Sequence, residues 1–173
     1  MISKKEEYPI KIKIAEDENF INLNLCAKEF IDLIEDFKIN FLKKNYFILT
    51  AYHNENLVGI LIADSKIRKI DSFDKFLPKI RLNLLYVNPN FRGRQIGKKL
   101  LERYLIIQKE NGVAAVYVKL PQKYKKGIRF FRKINFIQTG KKNNEINLEY
   151  NLWNDYGIID YDIIDISFND IFD

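Results

Sequence analysis

Apolar and polar positions along this chain repeat with periods that name its elements. Tyr8 to Ala15, YPIKIKIA, alternates apolar residues with lysine and reads as a half-exposed first strand. Residues 16–19 supply acidic and capping groups for a helix start, and the helical region that follows runs from about Phe20 to Lys44. Within it Phe30, Ile34, Phe37 and Phe41 recur every three to four residues and give one face to bury. Tyr46–His53 and Leu57–Asp64 are strand-like runs joined as a hairpin through Asn54, Glu55 and Asn56, with Gly59 a candidate bulge. Residues 66–79 interleave Lys66, Arg68, Lys69, Lys75 and Lys79 with Phe73 and Phe76, and read as a solvated insertion between strands.

The stretch from Leu82 to Gly112 organises the rest. Leu84, Leu85, Tyr86 and Val87 have strand composition, and Pro89 ends the strand because it cannot donate to a ladder and extends Asn88. Ile96, Leu100, Leu101, Tyr104, Leu105 and Ile107 then follow the helical period up to the stop at Asn111 and Gly112. Between strand and helix, Arg92 to Lys99 holds two glycines and four cations. Unpartnered amides and the helix dipole at such a start suit an anion. The spacing lacks the Gly-Lys-Ser/Thr of a nucleotide P-loop and the full G-x-G-x-x-G of a dinucleotide fold. Ala114 to Leu120 is a buried strand, and strand–helix–strand in that order predicts a right-handed crossover with parallel pairing. Tyr124 to Ile134 reads as a helix, and Phe136–Lys141 with Glu145–Leu152 as an antiparallel pair.

Composition narrows the classes. A chain of 173 residues is about one domain with its own core. No apolar run reaches the roughly 18 residues of a membrane span. MISKKEEYPIKIK has no apolar signal segment, so a cytoplasmic protein without membrane association is expected. The single cysteine, Cys26, excludes an internal disulfide and reads as a buried structural thiol. One Cys and one His exclude a His/Cys zinc site, so no metal is expected, and His53 at the hairpin edge reads as solvated. The net charge of +6 is uneven: residues from Asn151 onward carry six acids and no base, so all 29 basic residues lie before it. A basic body attracts nucleic acid, acidic protein or a phosphorylated ligand.

The strand–turn–helix resembles the acyl-coenzyme A binding segment of the GNAT superfamily of N-acetyltransferases, Val-x-Pro-x-x-Arg-Gly-x-Gly-x-Gly/Ala followed by a leucine-rich helix. Val87, Pro89, Arg92, Gly93, Ile96, Gly97, Leu100 and Leu101 fall in place, and Gln95 stands at the usual middle glycine. Gly127 to Phe136 resembles the family's Ala-Ile-x-Leu-Tyr-x-Lys-x-Gly-Phe helix end. The resemblance covers about residues 8–152. It implies an α/β (α+β) fold with a mixed, mostly antiparallel central sheet, a parallel pair of strands that splays apart, and flanking helices. It also implies one domain over residues 1–153. Residues 154–173 are an acidic extension in which acidic and apolar residues alternate; Tyr161–Phe168 reads as a strand expected to fold back on the basic body, the alternative being a solvated appendage. Acetyl-coenzyme A, the acetyl donor, would be held by Leu85, Tyr86, Val87, Arg92, Gly93, Arg94, Gln95, Ile96, Gly97, Lys98 and Tyr124. Main-chain groups exposed in the splay would pair with the pantetheine arm.

The resemblance fails at the usual catalytic side chains. Acyl transfer needs a neutral amine, since an ammonium has no lone pair to attack with. Many relatives carry a glutamate base where this chain has Asn83, and a tyrosine acid where it has Phe131. The hydroxyls of Tyr124 and Tyr86 are the substitutes on offer. A coenzyme A thiolate, with a thiol pKa of about 8.5, also leaves without protonation. The implied function is direct transfer of acetyl to a primary amine of a peptide, protein or small molecule. The alternatives are a catalytically weak coenzyme A binding or sensing module, and a basic nucleic-acid- or ribosome-associated protein.

Overall fold

The structure, a computed structural model, describes residues 9–15, 28, 32, 34–69 and 77–153. Part of the helical region expected over 20–44, with Cys26 and Phe30, lies outside these residues, and the described part is helical over Phe37–Leu42. So do Phe73, Phe76 and the acidic segment 154–173.

Among the described residues eight strands make one sheet in the order β1-β2-β3-β5-β6-β8-β7, with β4 paired to β5. They are β1 (Ile10–Ile14), β2 (Tyr46–His53), β3 (Asn56–Asp64), β4 (Arg68–Lys69), β5 (Pro78–Val87), β6 (Ala115–Pro121), β7 (Ile137–Lys142) and β8 (Glu145–Asn151). Among the described residues the helices with defined bounds are α1 (Phe37–Leu42), α2 (Ile96–Glu110) and α3 (Lys125–Lys133), with a 3₁₀ turn over Pro89–Phe91. Every pairing is antiparallel except β5 with β6.

The central strands are apolar on both faces because both are covered. Alternation sends Leu49, Ala51, Leu61, Ala63 and Leu82 to one side, where they pack with Leu100, Leu101 and Tyr104 of α2. It sends Ile48, Ile60 and Ile62 to the other, against Phe37, Phe41, Tyr46, Leu84 and Tyr86. The helical spacing of Phe37 and Phe41 therefore marks core, with Phe37 stacked 5.3 Å from Tyr46. Gly59 sits where α2 lies close on the sheet. A Cβ there would lie 3.1 Å from Leu100 Cδ1 and 3.2 Å from Ile96 Cγ2. The register also slips beside it, with Ala51 opposite Gly59 but Tyr52 opposite Leu57, which leaves Val58 as the bulged residue.

Two features of β5 differ from the sequence reading. The strand begins at Pro78, so the end of the charged connector is sheet, and Arg68–Lys69 pairs with Pro78 and Lys79. Lys79 tolerates burial because its Nζ lies 2.9 Å from Glu149 Oε1 across β6. The second feature is a bulge: Ile62 faces Leu84 and Ala63 faces Leu82, so Asn83 is the extra residue.

The parallel pairing spans three rungs, Lys79 with Ala115, Ile80 with Val116 and Arg81 with Tyr117. Past them β5 and β6 part, and β8 rather than β7 flanks β6 on its far side. The expected splay is present. Among the described residues no helix is long and apolar enough to cross a membrane.

Candidate active site

The splay opens a cleft of about 2230 Å³, walled by Leu82–Val87 of β5 and by Val118–Pro121 of β6. That exceeds the roughly 300–1,000 Å³ of an ordinary small-molecule site, which leaves room for a long ligand and a second one. Along this wall the backbone groups of β5 that point toward β6 meet no rung, and an extended chain with amide groups can take them as an added strand would.

One end of the cleft is the turn from β5 into α2. Asn88 N–H donates to Val58 O at 2.8 Å, and the Asn88 side chain accepts from Asn90 N–H at 3.0 Å. Arg92 Nε donates to Val87 O at 2.9 Å, and its guanidinium lies 5.8 Å from the Tyr86 ring centroid. Arg92 thus ties the turn closed. Gly93 and Gln95 adopt left-handed φ values of 77° and 63°. The first bond of the helix runs from Lys99 N–H to Gln95 O, and no side chain caps the start. The amides of Ile96, Gly97 and Lys98 precede that bond and point out of the helix end, where the dipole favours an anion. Gly97 keeps this surface low: a Cβ would sit 3.5 Å from Val87 Cγ2 and 3.6 Å from Phe130 Cζ. The arrangement fits a diphosphate-bearing ligand whose arm runs back along β5.

Most residues singled out from the sequence come together here. Leu85, Tyr86, Val87, Arg92, Gly93, Gln95, Ile96, Gly97, Lys98 and Tyr124 all line the cleft. Arg94 does not; its guanidinium turns to the Phe91 ring, 5.1 Å from the centroid. Tyr124 is 41% exposed at the start of α3, with Lys123 Nζ 5.5 Å from its ring. Phe131 is a core residue, 5% exposed and packed edge-on to Phe136 at 5.0 Å. Its neighbour Phe130 is the one that meets Gly97. His53 is half-buried against Phe91, 5.2 Å between ring centroids, rather than solvated.

The other end holds Asn83 together with side chains that the sequence reading passed over. Asn83 Nδ2 donates to Asp64 Oδ1 at 2.8 Å, so a carboxylate stands beside the position that lacks one. Tyr46, Asn40, Asn45, Asp64 and Arg81 share this end of the wall. Burial raises the Tyr46 hydroxyl above its ordinary pKa; a hydrogen bond with Asn40 opposes this, Asp64 adds to it and Arg81 opposes it. The missed signal is the hairpin register, which brings Tyr46 opposite Asp64.

A parallel pair that opens beside an uncapped helix start defines a class of fold, one that takes an extended, phosphate-bearing ligand between two strands. Residues 44–138 match the model of the acetyltransferase (GNAT) domain, and the chain belongs to that family. PaiA N-acetyltransferase from Thermoplasma acidophilum, solved in complex with coenzyme A, is similar with TM-score 0.64 and 18% identity, over 83% of this chain and 99% of that one. Naa50 from Arabidopsis thaliana, solved with the bisubstrate analogue CoA-Ac-MVNAL, is similar with TM-score 0.65 and 16% identity, over 82% and 97%. The ribosomal-protein-S18-alanine N-acetyltransferase from Escherichia coli gives TM-score 0.66 and 13% identity, over 83% and 94%. At these identities the likeness is one of fold. No curated protein matches the chain by sequence.

Proposed function

We propose that this protein is an N-acetyltransferase that moves acetyl from acetyl-coenzyme A directly to a primary amine of a peptide, a protein or a small molecule. The observation that carries the reading is the parallel pair parting after Arg81 and Tyr117 beside an uncapped helix start with Gly97 at its lip. Acetyl-coenzyme A supplies a thioester already activated for transfer. The amides of Ile96, Gly97 and Lys98 hold its diphosphate, the free edge of β5 from Leu85 to Val87 aligns its arm, and Tyr124 closes the side toward α3. Asp64, held by Asn83, is the carboxylate available to draw a proton from the acceptor ammonium, and Tyr86 and Tyr124 bring hydroxyls to the lining of the same cleft. Neighbours solved with a peptide analogue or named for a ribosomal-protein substrate make a peptide amine one natural acceptor. The same reading takes residues 1–153 as one catalytic domain, 154–173 as an acidic extension, and the cytoplasm as its setting.

Calorimetry with acetyl-coenzyme A tests it, run beside Gly97→Trp, whose side chain must enter the space against Val87 and Phe130. Micromolar-range binding lost in the variant, followed by coenzyme A release with an amine panel, is the expected result. A folded wild type that binds no donor refutes the reading. A second reading, a coenzyme A binding module of low turnover, draws on Asn83 and the buried Phe131. Donor binding without amine-dependent release across the panel would favour it.

A further inference from the structure

Five residues on five neighbouring strands form one row on the sheet face away from α2. Tyr46 is opposite Asp64; Asp64 stands beside Arg81, one step past Ala63 and Leu82; Arg81 is opposite Tyr117; and Tyr117 is opposite Glu149. Alternation fixes the face, because Ala63, Leu82, Val116 and Leu148 pack on the α2 side. Two cations and two acids lie in or beside this row, and their pairing is unequal. Lys79 takes Glu149 at 2.9 Å, and Asn83 donates to Asp64 at 2.8 Å. Arg81 takes neither acid: its Nε is shut off from solvent and has no hydrogen-bond partner among the described residues. A buried guanidinium N–H without an acceptor is costly, and because the Arg81 side chain lines the cleft, a small turn of its guanidinium would let a ligand supply that acceptor.

The place of Arg81 says which ligand. It occupies the last rung before β5 and β6 part, and it lines the cleft. It is six residues before Val87, roughly 20 Å along the strand from the turn that suits the donor's phosphates. The donor arm enters from that turn, so Arg81 faces what comes from the other side. A guanidinium pairs with a carboxylate in a planar, two-pronged fashion. Asp64 on the adjacent strand, roughly 5 Å away sideways, is the matching partner for an ammonium. The acids on both flanks disfavour a doubly charged phosphate there.

On the transferase reading above, we propose that Arg81 binds a carboxylate of the acceptor, so that the acceptor is an amine that also carries a carboxylate, of amino-acid size, with its ammonium toward Asp64. The proton step balances simply: the ammonium gives one N–H proton to the carboxylate and keeps the lone pair, leaving a neutral amine and a carboxylic acid.

The test measures initial rates with acceptor pairs that differ only in a carboxylate against its amide: alanine with alaninamide, β-alanine with β-alaninamide, glutamate with glutamine. The wild type is expected to favour the carboxylate member of at least one pair by roughly 10- to 100-fold in kcat/KM. Arg81→Met is expected to bring that ratio within about threefold, chiefly through KM, and Arg81→Lys to restore part of it. Independently of turnover, the favoured carboxylate acceptor should raise the melting temperature of the wild type and leave Arg81→Met unmoved. If Arg81→Met does not fold, the ratio in Arg81→Lys decides. Turnover with no preference in any pair, or a preference unchanged in a folded Arg81 variant that still binds acetyl-coenzyme A, overturns the inference and leaves the transferase reading standing. A wild type that binds no acetyl-coenzyme A overturns both.

Discussion

The side-chain amide of Asn83 and the carboxylate of Asp64 are joined by a 2.8 Å hydrogen bond across a β-bulge. The bulge turns Asn83 toward the β3 residue that follows Ala63, and Asp64 is thereby fixed where the acceptor end of the cleft begins. Asp64→Ala is expected to cost about 1–2 kcal/mol of stability through the lost charge-assisted bond. It should also lower kcat/KM for the amine by roughly 10²- to 10⁴-fold if Asp64 handles the proton, with acetyl-coenzyme A affinity kept. A rate loss below about threefold would make the pair structural alone.

This pair also shows where the sequence could be read and where it could not. The strand, turn and helix from Leu84 to Gly112 were legible because their signals are local: a β-type run, Pro89, two glycines, and apolar residues at helical spacing. Asp64 and Asn83 are 19 positions apart, and only a register slip makes them neighbours. The start of β5 was hidden for a related reason. Lys79 and Arg81 look like solvated charges until Glu149, far along the chain, and the cleft are known to receive them. The splay itself was expected from the family likeness. No local pattern encodes the point at which two strands stop pairing.

Gln95 departs from the family's glycine at a position whose backbone explains the glycine. Its φ is 63°, and a side chain there carries left-handed strain of about 1 kcal/mol. Gln95→Gly should therefore stabilise the protein by about 0.5–1 kcal/mol in denaturant unfolding, or by less where the freer unfolded chain offsets the gain. Gly93→Ala should lose about 1 kcal/mol, since φ is 77° there and no atom lies within 4 Å of the new methyl.

Gly59 governs how closely α2 approaches the sheet. In Gly59→Ala the methyl would meet Leu100 at 3.1 Å and Ile96 at 3.2 Å, both at the N-terminal part of the helix. Overpacking of this kind costs about 1–3 kcal/mol. Because the strain falls on the residues just after the turn, donor affinity should weaken along with stability. Calorimetry showing unaltered acetyl-coenzyme A affinity in a destabilised variant would separate the two effects.

Lys79 and Glu149 clamp the closed end of the splay, with side chains only 9% and 16% exposed. Lys79→Met takes the cation from the half-buried Glu149, and Glu149→Gln takes this carboxylate from Lys79; each should cost about 2–4 kcal/mol. The double variant should cost less than the sum of the two singles. Strict additivity in thermal unfolding would show that the 2.9 Å pair contributes no coupling.

Tyr104 makes the clearest pH prediction. Its side chain is fully buried between α2 and the sheet, and its hydroxyl has no hydrogen-bond partner among the described residues. Burial, with Asp64 adding to it, raises the hydroxyl's pKa far above the ordinary 10.0. Below about pH 10 the phenol is neutral in both states and contributes no pH dependence. Above that, the unfolded chain loses the proton while the folded one keeps it, so the unfolded state binds fewer protons and stability falls, by up to about 1.4 kcal/mol per pH unit. Tyr104→Phe removes this contribution, and should flatten the alkaline decline between pH 10 and 11.5 relative to wild type. At pH 7 it also removes a buried, unsatisfied hydroxyl at little change in volume, so it should be neutral or stabilising by about 1 kcal/mol. A loss of more than about 1 kcal/mol at neutral pH would mean that the hydroxyl is satisfied in solution, by water or by rotation to a backbone acceptor.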